Sequence, residues 1–300
     1  MKEINNLAIS ELNSSYKNAK KYFILNAKNN PSFITYNNLA WYYFKCEELN
    51  PFWYELSTFK KSIKYCLEAL RLKTNVSSLR LLRNIHYAKK EYAEAAKIQE
   101  LIFENFRCEQ DIENYMDDYY VMGCINIGLK DYKTAKEYLE KAYNHYYLKQ
   151  NISDDYAFFT YALCLIKLGQ YDEANKIGEY ILDTLGEDSI LLNEVLRIYY
   201  CTDNFEKLNK YIEQFQRSWA IQKDELAIIL YTYKKYYSND EVEKRYVNII
   251  DRVKKGYRPK GARRRELIKL KKVYEQIEKG IKPVIQYEPL VYFTRNYIKC

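Results

Sequence analysis

Residues 114–143 read NYMDDYYVMGCINIGLKDYKTAKEYLEKAY, and this stretch decides the fold. In its first half Tyr119, Met122, Gly123 and Ile127 recur at helical spacing. Gly128–Asp131 interrupt that pattern, and a second helical pattern starts at Tyr132. Tyr132, Ala135, Leu139 and Ala142 then fall on one helix face. Two helical patterns separated by four residues predict a helical hairpin, with the small Ala135 allowing its helices to approach closely. Residues 155–183 repeat the arrangement, with Gly169 at the turn.

The opening of the second helix, an aromatic followed three residues on by a small or compact residue, recurs six times. The pairs are Tyr16/Ala19, Phe59/Ser62, Tyr92/Ala95, Tyr132/Ala135, Tyr171/Ala174 and Phe205/Leu208, their aromatics 33 to 43 residues apart. Such a period predicts stacked helical hairpins, an all-α solenoid in which each unit buries its apolar faces against its neighbours. The segment resembles the tetratricopeptide repeat family. Met122-Gly123 and Tyr161-Ala162 match that family's bulky-small pair in helix A, Tyr132/Ala135 and Tyr171/Ala174 match the opening of helix B, and Ala142 matches a later Ala. Pro31 closes a first, partial repeat with Tyr16, Ala19 and Phe23, and the resemblance extends over residues 3–250. It implies a right-handed superhelix of about six or seven helix-turn-helix repeats.

Departures from the pattern are informative. The second repeat, with Leu39-Ala40 and Ser62, holds an insertion around Glu47–Leu56 containing Pro51 and Trp53, which lengthens its turn. Leu208 stands where Ala is expected and should hold the sixth pair of helices further apart. A seventh pair, near Glu225–Tyr237 and Glu241–Lys254, carries no aromatic-small pair. Arg252–Lys272 then holds eleven Lys and Arg against the single acid Glu266. The formal charge of +8 therefore arises in this one segment, and the rest of the chain is slightly acidic. The expected organisation is a repeat solenoid over 1–250, a basic helical cap over 251–282, and an extended aromatic tail over 283–300, where Pro283 and Pro289 punctuate β-branched and aromatic residues.

Composition agrees with helix. Eight Gly and five Pro are too few for the many turns of an all-β chain of 300 residues. The 34 Tyr suit thin two-layer arrays, because a ring packs like Phe while its hydroxyl reaches water. Seven scattered Cys without a C-x-x-C, and only two His, exclude clustered zinc ligands and read as buried reduced thiols. With neither a long apolar run nor an apolar leader, the expectation is a cytoplasmic protein without a membrane span.

Nucleotide-binding glycine loops, metalloprotease pairs and nucleophile elbows are absent, so the expectation is a non-enzyme without cofactor or metal. His86 and His145 read as interhelical polar contacts, and Cys124 and Cys164 as small buried hydrophobes. The resemblance implies that the A helices line a concave groove that takes a protein or peptide. Aligned on the aromatic, that face presents Arg80, Asn84 and Tyr87 in repeat three, and Asp117, Tyr120 and Cys124 in repeat four. Repeat five adds Tyr156, Phe159, Thr160 and Leu163, and repeat six Asn193, Glu194 and Arg197. Arg80 and Asn84 match two positions of the family's carboxylate clamp, but Val121, Tyr156 and Thr160 stand at the others. Asp111, Glu113, Asp117 and Asp118, then Asp154 and Asp155, read as acids complementing helix N-termini, or as an acidic rim for a basic partner.

The function expected is non-enzymatic binding of a protein or peptide, as an adaptor, a peptide-sensing regulator or a protein that neutralises a partner. The alternative is an RNA- or DNA-binding accessory protein using Arg252–Lys272, with Arg258, Lys260, Arg263, Arg264 and Arg265 as the anion-binding patch.

Overall fold

The computed structural model describes residues 2–12, 16–48, 59–106, 112–148, 155–185, 189–212, 227–228, 231–232 and 271–285. Among these the regular elements are helices: α1 (Lys2–Leu12), α2 (Tyr16–Asn29), α3 (Phe33–Glu48), α4 (Lys60–Leu72), α5 (Val76–Ala88), α6 (Tyr92–Asn105), α7 (Ile112–Gly128), α8 (Tyr132–Leu148), α9 (Asp155–Lys167), α10 (Tyr171–Leu185), α11 (Ser189–Cys201) and α12 (Phe205–Ile212). A further helical stretch covers 271–278. The expected all-α fold is present, and its first hairpin is two full helices, α1 and α2, rather than a partial repeat. Residues 49–58, which hold Pro51 and Trp53, and most of the seventh pair lie outside the described residues. No described helix is long and apolar enough to cross a membrane.

The chain forms two compact units that meet in sequence within α8, between Ala142 and Tyr143. In the first, α1 packs on α2, α3 on α4 and α5 on α6, while α2, α4 and α6 each lead into contact with the helix that follows. In the second, α10 packs between α9 and α11, α9 also touches α11, and α11 packs on α12.

Four hairpin turns share one backbone solution. The residue two before the aromatic adopts a left-handed conformation: Lys90 at φ 61°, Lys130 at 64°, Gly169 at 75° and Asp203 at 58°. The N–H of the next residue then reaches back five positions in the turn, as in Glu91 to the His86 carbonyl, Asp131 to Asn126, Gln170 to Leu165 and Asn204 to Tyr199, each at 2.9 Å. That residue opens the following helix. The Asp131 carboxylate accepts from the Thr134 N–H at 3.2 Å and its hydroxyl at 2.8 Å. These bonds, the Thr134 hydroxyl foremost, hold the Asp131 carboxyl below the usual carboxylate range. Only Gly169 meets the left-handed position without a Cβ penalty. Lys130→Gly is therefore expected to stabilise the protein by ~1 kcal/mol and Gly169→Ala to destabilise it by about as much, read as opposite shifts of the urea midpoint.

The small member of each pair carries the packing. Ala19, Ser62, Ala95, Ala135, Ala174 and Leu208 are all fully buried. Ser62 adds a hydrogen bond, donating its hydroxyl to the Ala40 carbonyl of α3 at 2.9 Å. The aromatic member varies more. Phe59 is buried and Tyr92 lies against Gly128, whereas Tyr171 is 46 % exposed, so a ring filling the space beside the turn is not a general feature.

The abundant tyrosines form clusters bridging successive helices. Tyr36 and Tyr43 of α3 stack on Tyr65 of α4, with centroids 6.3 and 5.7 Å away. Phe103 of α6, Tyr119 of α7 and Tyr138 of α8 meet in a second cluster. In the other unit Tyr143 of α8 packs on Phe158 and Tyr161 of α9, and Tyr147 on Tyr180 of α10. Burial pushes the Tyr143 hydroxyl up to about 12. Offset and edge-on pairs of this kind add ~0.5–1.5 kcal/mol each beyond area burial.

Candidate functional site

Two groups of the expected groove residues behave differently. In the first unit the A helices α5 and α7 are joined by a buried polar network. Arg80 donates from Nε to both oxygens of Asp118 at 3.1 Å, and from Nη2 to Oδ2 at 2.6 Å. Arg83 donates from Nη1 to Asp118 Oδ1 at 2.6 Å and to Gln99 Oε1 of α6. The Asn84 side-chain oxygen accepts from Arg83 Nε at 3.0 Å and Nη2 at 2.8 Å. Arg83, Asn84 and Asp118 are each only 1 % exposed, and Gln99 is fully buried. A smaller network joins α3 to α5, where Asn37 bonds the hydroxyls of Ser77 and Ser78 at 3.1 and 3.0 Å.

Arg80 and Asn84 are thus engaged within the protein. A guanidinium locked edge-on to a carboxylate one repeat away aligns successive A helices. Asp118, read from sequence as an acid complementing a helix N-terminus or lining an acidic rim, is corrected to an interior ion-pair partner. Arg83 and Gln99 were not among the expected site residues. Their signal was a polar residue on an otherwise apolar face, with its partners 35 and 16 residues away. Tyr87 is half-buried and packs edge-on against Tyr92 with centroids 5.4 Å apart. Tyr120 is half-buried against the cluster of Ala95, Val121, Met122 and Ile125, and Asp117 is half-buried beside it in sequence.

The second unit offers an opening. Phe159, Leu163 and Ile166 of α9 face Glu194, Arg197, Ile198 and Cys201 of α11 across a cleft. Ile285, from the non-helical stretch 281–285, completes its lining. Phe159, Glu194 and Arg197 are expected groove residues that the fold brings together here, along with Leu163. Helical spacing places them: Phe159, Leu163 and Ile166 lie four and three residues apart, as do Glu194, Arg197 and Cys201 at three and four. Glu194 and Arg197 pair at 2.6 Å, their side chains 19 % and 12 % exposed, so one acid and one base sit against an apolar wall. Asn193 is half-buried nearby in sequence, Thr160 is fully buried, and the Tyr156 side chain lies outside the described residues.

The remaining candidates fall elsewhere. The His86 ring pairs with Glu91 at 2.7 Å, and Lys89 holds the same carboxylate at 2.6 Å. Those partners, Lys89 foremost, keep the Glu91 carboxyl low. His145 packs edge-on to Tyr146. Cys66, Cys124 and Cys164 are fully buried free thiols; burial pushes Cys66 up to about 12, and it donates to the Ser78 carbonyl at 3.1 Å. Among the described residues no group of three or more His, Cys, Asp or Glu could hold a metal ion. Arg258, Lys260, Arg263, Arg264 and Arg265 lie outside the described residues, while Lys271 and Lys272 are exposed.

No family model and no curated protein matches the sequence. Solved structures do match. A tetratricopeptide repeat protein from Parabacteroides merdae superposes with a TM-score of 0.61 at 15% identity, covering 91% of this chain and 98% of that one. PilF from Pseudomonas aeruginosa superposes with a TM-score of 0.53 at 16% identity, covering 82% and 96%. Paired helices, the shared turn and a buried residue at the matching position of each hairpin agree with these likenesses: in its fold the chain is a tetratricopeptide-repeat-type solenoid of helical hairpins.

Proposed function

We propose that the chain is a non-enzymatic protein- or peptide-binding repeat protein, and that its partner is held on the A helices of the second unit. The supporting observation is the α9–α11 cleft, which combines apolar walls from Phe159, Leu163, Ile166 and Ile198 with the Glu194–Arg197 pair. Concave, mostly apolar sites with a few oriented polar groups are the usual form of a recognition site. In helical-hairpin repeats an extended segment or a helix lies across such A helices. The network around Asp118 plays a different part in this reading, since it spends its donors on alignment of α5, α6 and α7. An adaptor, a peptide-sensing regulator or a neutralising protein would each use the cleft in the same way.

The test starts with affinity capture and identification of the partner, followed by titration of the purified pair. Ile166→Glu places a charge on the half-buried wall of the cleft. It is expected to weaken the identified partner by about tenfold or more with circular dichroism unchanged. Undiminished affinity would place the partner on another surface.

A further inference from the structure

One wall of the cleft comes from a segment outside the repeat helices. The chain turns after the helical stretch 271–278 through Gly280, at φ 74°, and lays residues 281–285 on α11. Burial alternates along them: Pro283 and Ile285 are buried, while Val284 between them is 73 % exposed. That alternation is the mark of an extended segment lying on a surface. Its backbone is engaged, since the buried Tyr200 hydroxyl donates to the Pro283 carbonyl at 2.7 Å. Its one cation is engaged too. Lys282 Nζ donates to the Tyr200 carbonyl at 2.7 Å and to Asp203 Oδ1 at 2.6 Å, and stands 4.8 Å from the centre of the Tyr200 ring. The carbonyl it meets belongs to the last turn of α11, where the helix dipole favours positive charge. Three residues on, the branched side chain of Ile285 enters the lining of the α9–α11 cleft.

An extended segment, a backbone carbonyl captured by a tyrosine hydroxyl, and an aliphatic side chain lining the cleft of two A helices together make a ligand-like contact. We infer that Lys282–Ile285 is an intramolecular occupant of the partner site, displaced by a partner segment of the same chemistry. That segment is extended, carries a Lys or Arg, and places a branched aliphatic residue three positions after it. The inference rests on the proposed use of the cleft and adds both the partner's chemistry and a mode of control. A partner competes with a tethered copy of its own motif, so its apparent affinity is lowered by the fraction of molecules whose cleft is closed.

Cys201 reports on the site, being half-buried and part of the cleft lining. In the full chain, Lys282→Ala with Ile285→Ser is expected to raise the rate of Cys201 alkylation, followed by peptide mass mapping, by about tenfold. The probe for binding is a fluorescein-labelled peptide of sequence KGIKPVI, residues 279–285. It is expected to bind the double variant at least ~10-fold more tightly than the unaltered chain, and to protect Cys201 when bound. Lys282→Ala alone removes the anchor and leaves every buried apolar group in place, so it should move both readouts in the same direction by a smaller factor. Equal alkylation rates and equal peptide binding in all three proteins would overturn the inference, as would a double variant that does not bind the peptide. The proposed use of the cleft is judged separately, by the response of the identified partner to Ile166→Glu.

Discussion

Asp118→Ala is expected to cost about 3–5 kcal/mol of folding stability, the largest loss foreseen for any single side chain in this protein. The wild-type carboxylate is 1 % exposed and accepts from two guanidiniums, Arg80 and Arg83, the latter also 1 % exposed. Deleting it leaves Arg83 buried with neutral partners alone, Gln99 and Asn84. A buried cation without its counter-charge carries its full desolvation cost, far above that of a broken surface pair. The same reasoning says that the network is no large net source of stability. Replacing all three ionic members by apolar residues, as Arg80→Met, Arg83→Met and Asp118→Leu together, is expected to cost less than Asp118→Ala alone. Guanidinium chloride unfolding of the two variants decides the matter. A loss below ~1 kcal/mol for Asp118→Ala would mean that the arginines turn out to solvent and the network does not hold α5 to α7.

The contrast between Asp118 and Ala135 shows what could be read from the sequence. Ala135 was readable because its role depends on neighbours within the same hairpin: Tyr132, Leu139 and Ala142 mark the face, and Gly128–Asp131 mark the turn. Local periodicity carries such information, and every hairpin repeats it. Asp118 depends on residues 35 and 38 positions away, in the preceding repeat, and nothing local separates it from an acid that complements a helix N-terminus. The same limit applies at the cleft. Phe159, Glu194 and Arg197 could be aligned to the A-helix face by counting from the aromatic. Ile285 could not, because it comes from a segment outside the repeat whose docking depends on a tyrosine hydroxyl 83 residues earlier. Leu208 is a milder case. It breaks the aromatic-small pattern, yet it is as fully buried as the alanines at the matching positions, because the requirement there is burial and not one residue size.

The close approach of α8 to Gly123 of α7 gives the second large effect, and it is testable as a coupling. A Cβ added at Gly123 would stand 2.4 Å from Leu139 Cγ and 2.6 Å from its Cδ2, closer than carbon atoms pack. Leu139 is itself 1 % exposed, so it has little room to move away. Gly123→Ala should therefore cost ~1–3 kcal/mol by overpacking, partly offset by the greater helix propensity of Ala. Leu139→Ala should cost ~2–5 kcal/mol, because it empties a buried volume between α7 and α8. Together the two changes compensate, since the new methyl at 123 enters space vacated by Leu139 and the clash that made it costly is gone. The double variant is expected to be more stable than the sum of the single losses implies, by ~1–3 kcal/mol in a double-mutant cycle. Additive losses would show that α7 and α8 separate to accommodate the methyl. The small residue at 123 would then owe nothing to close helix approach.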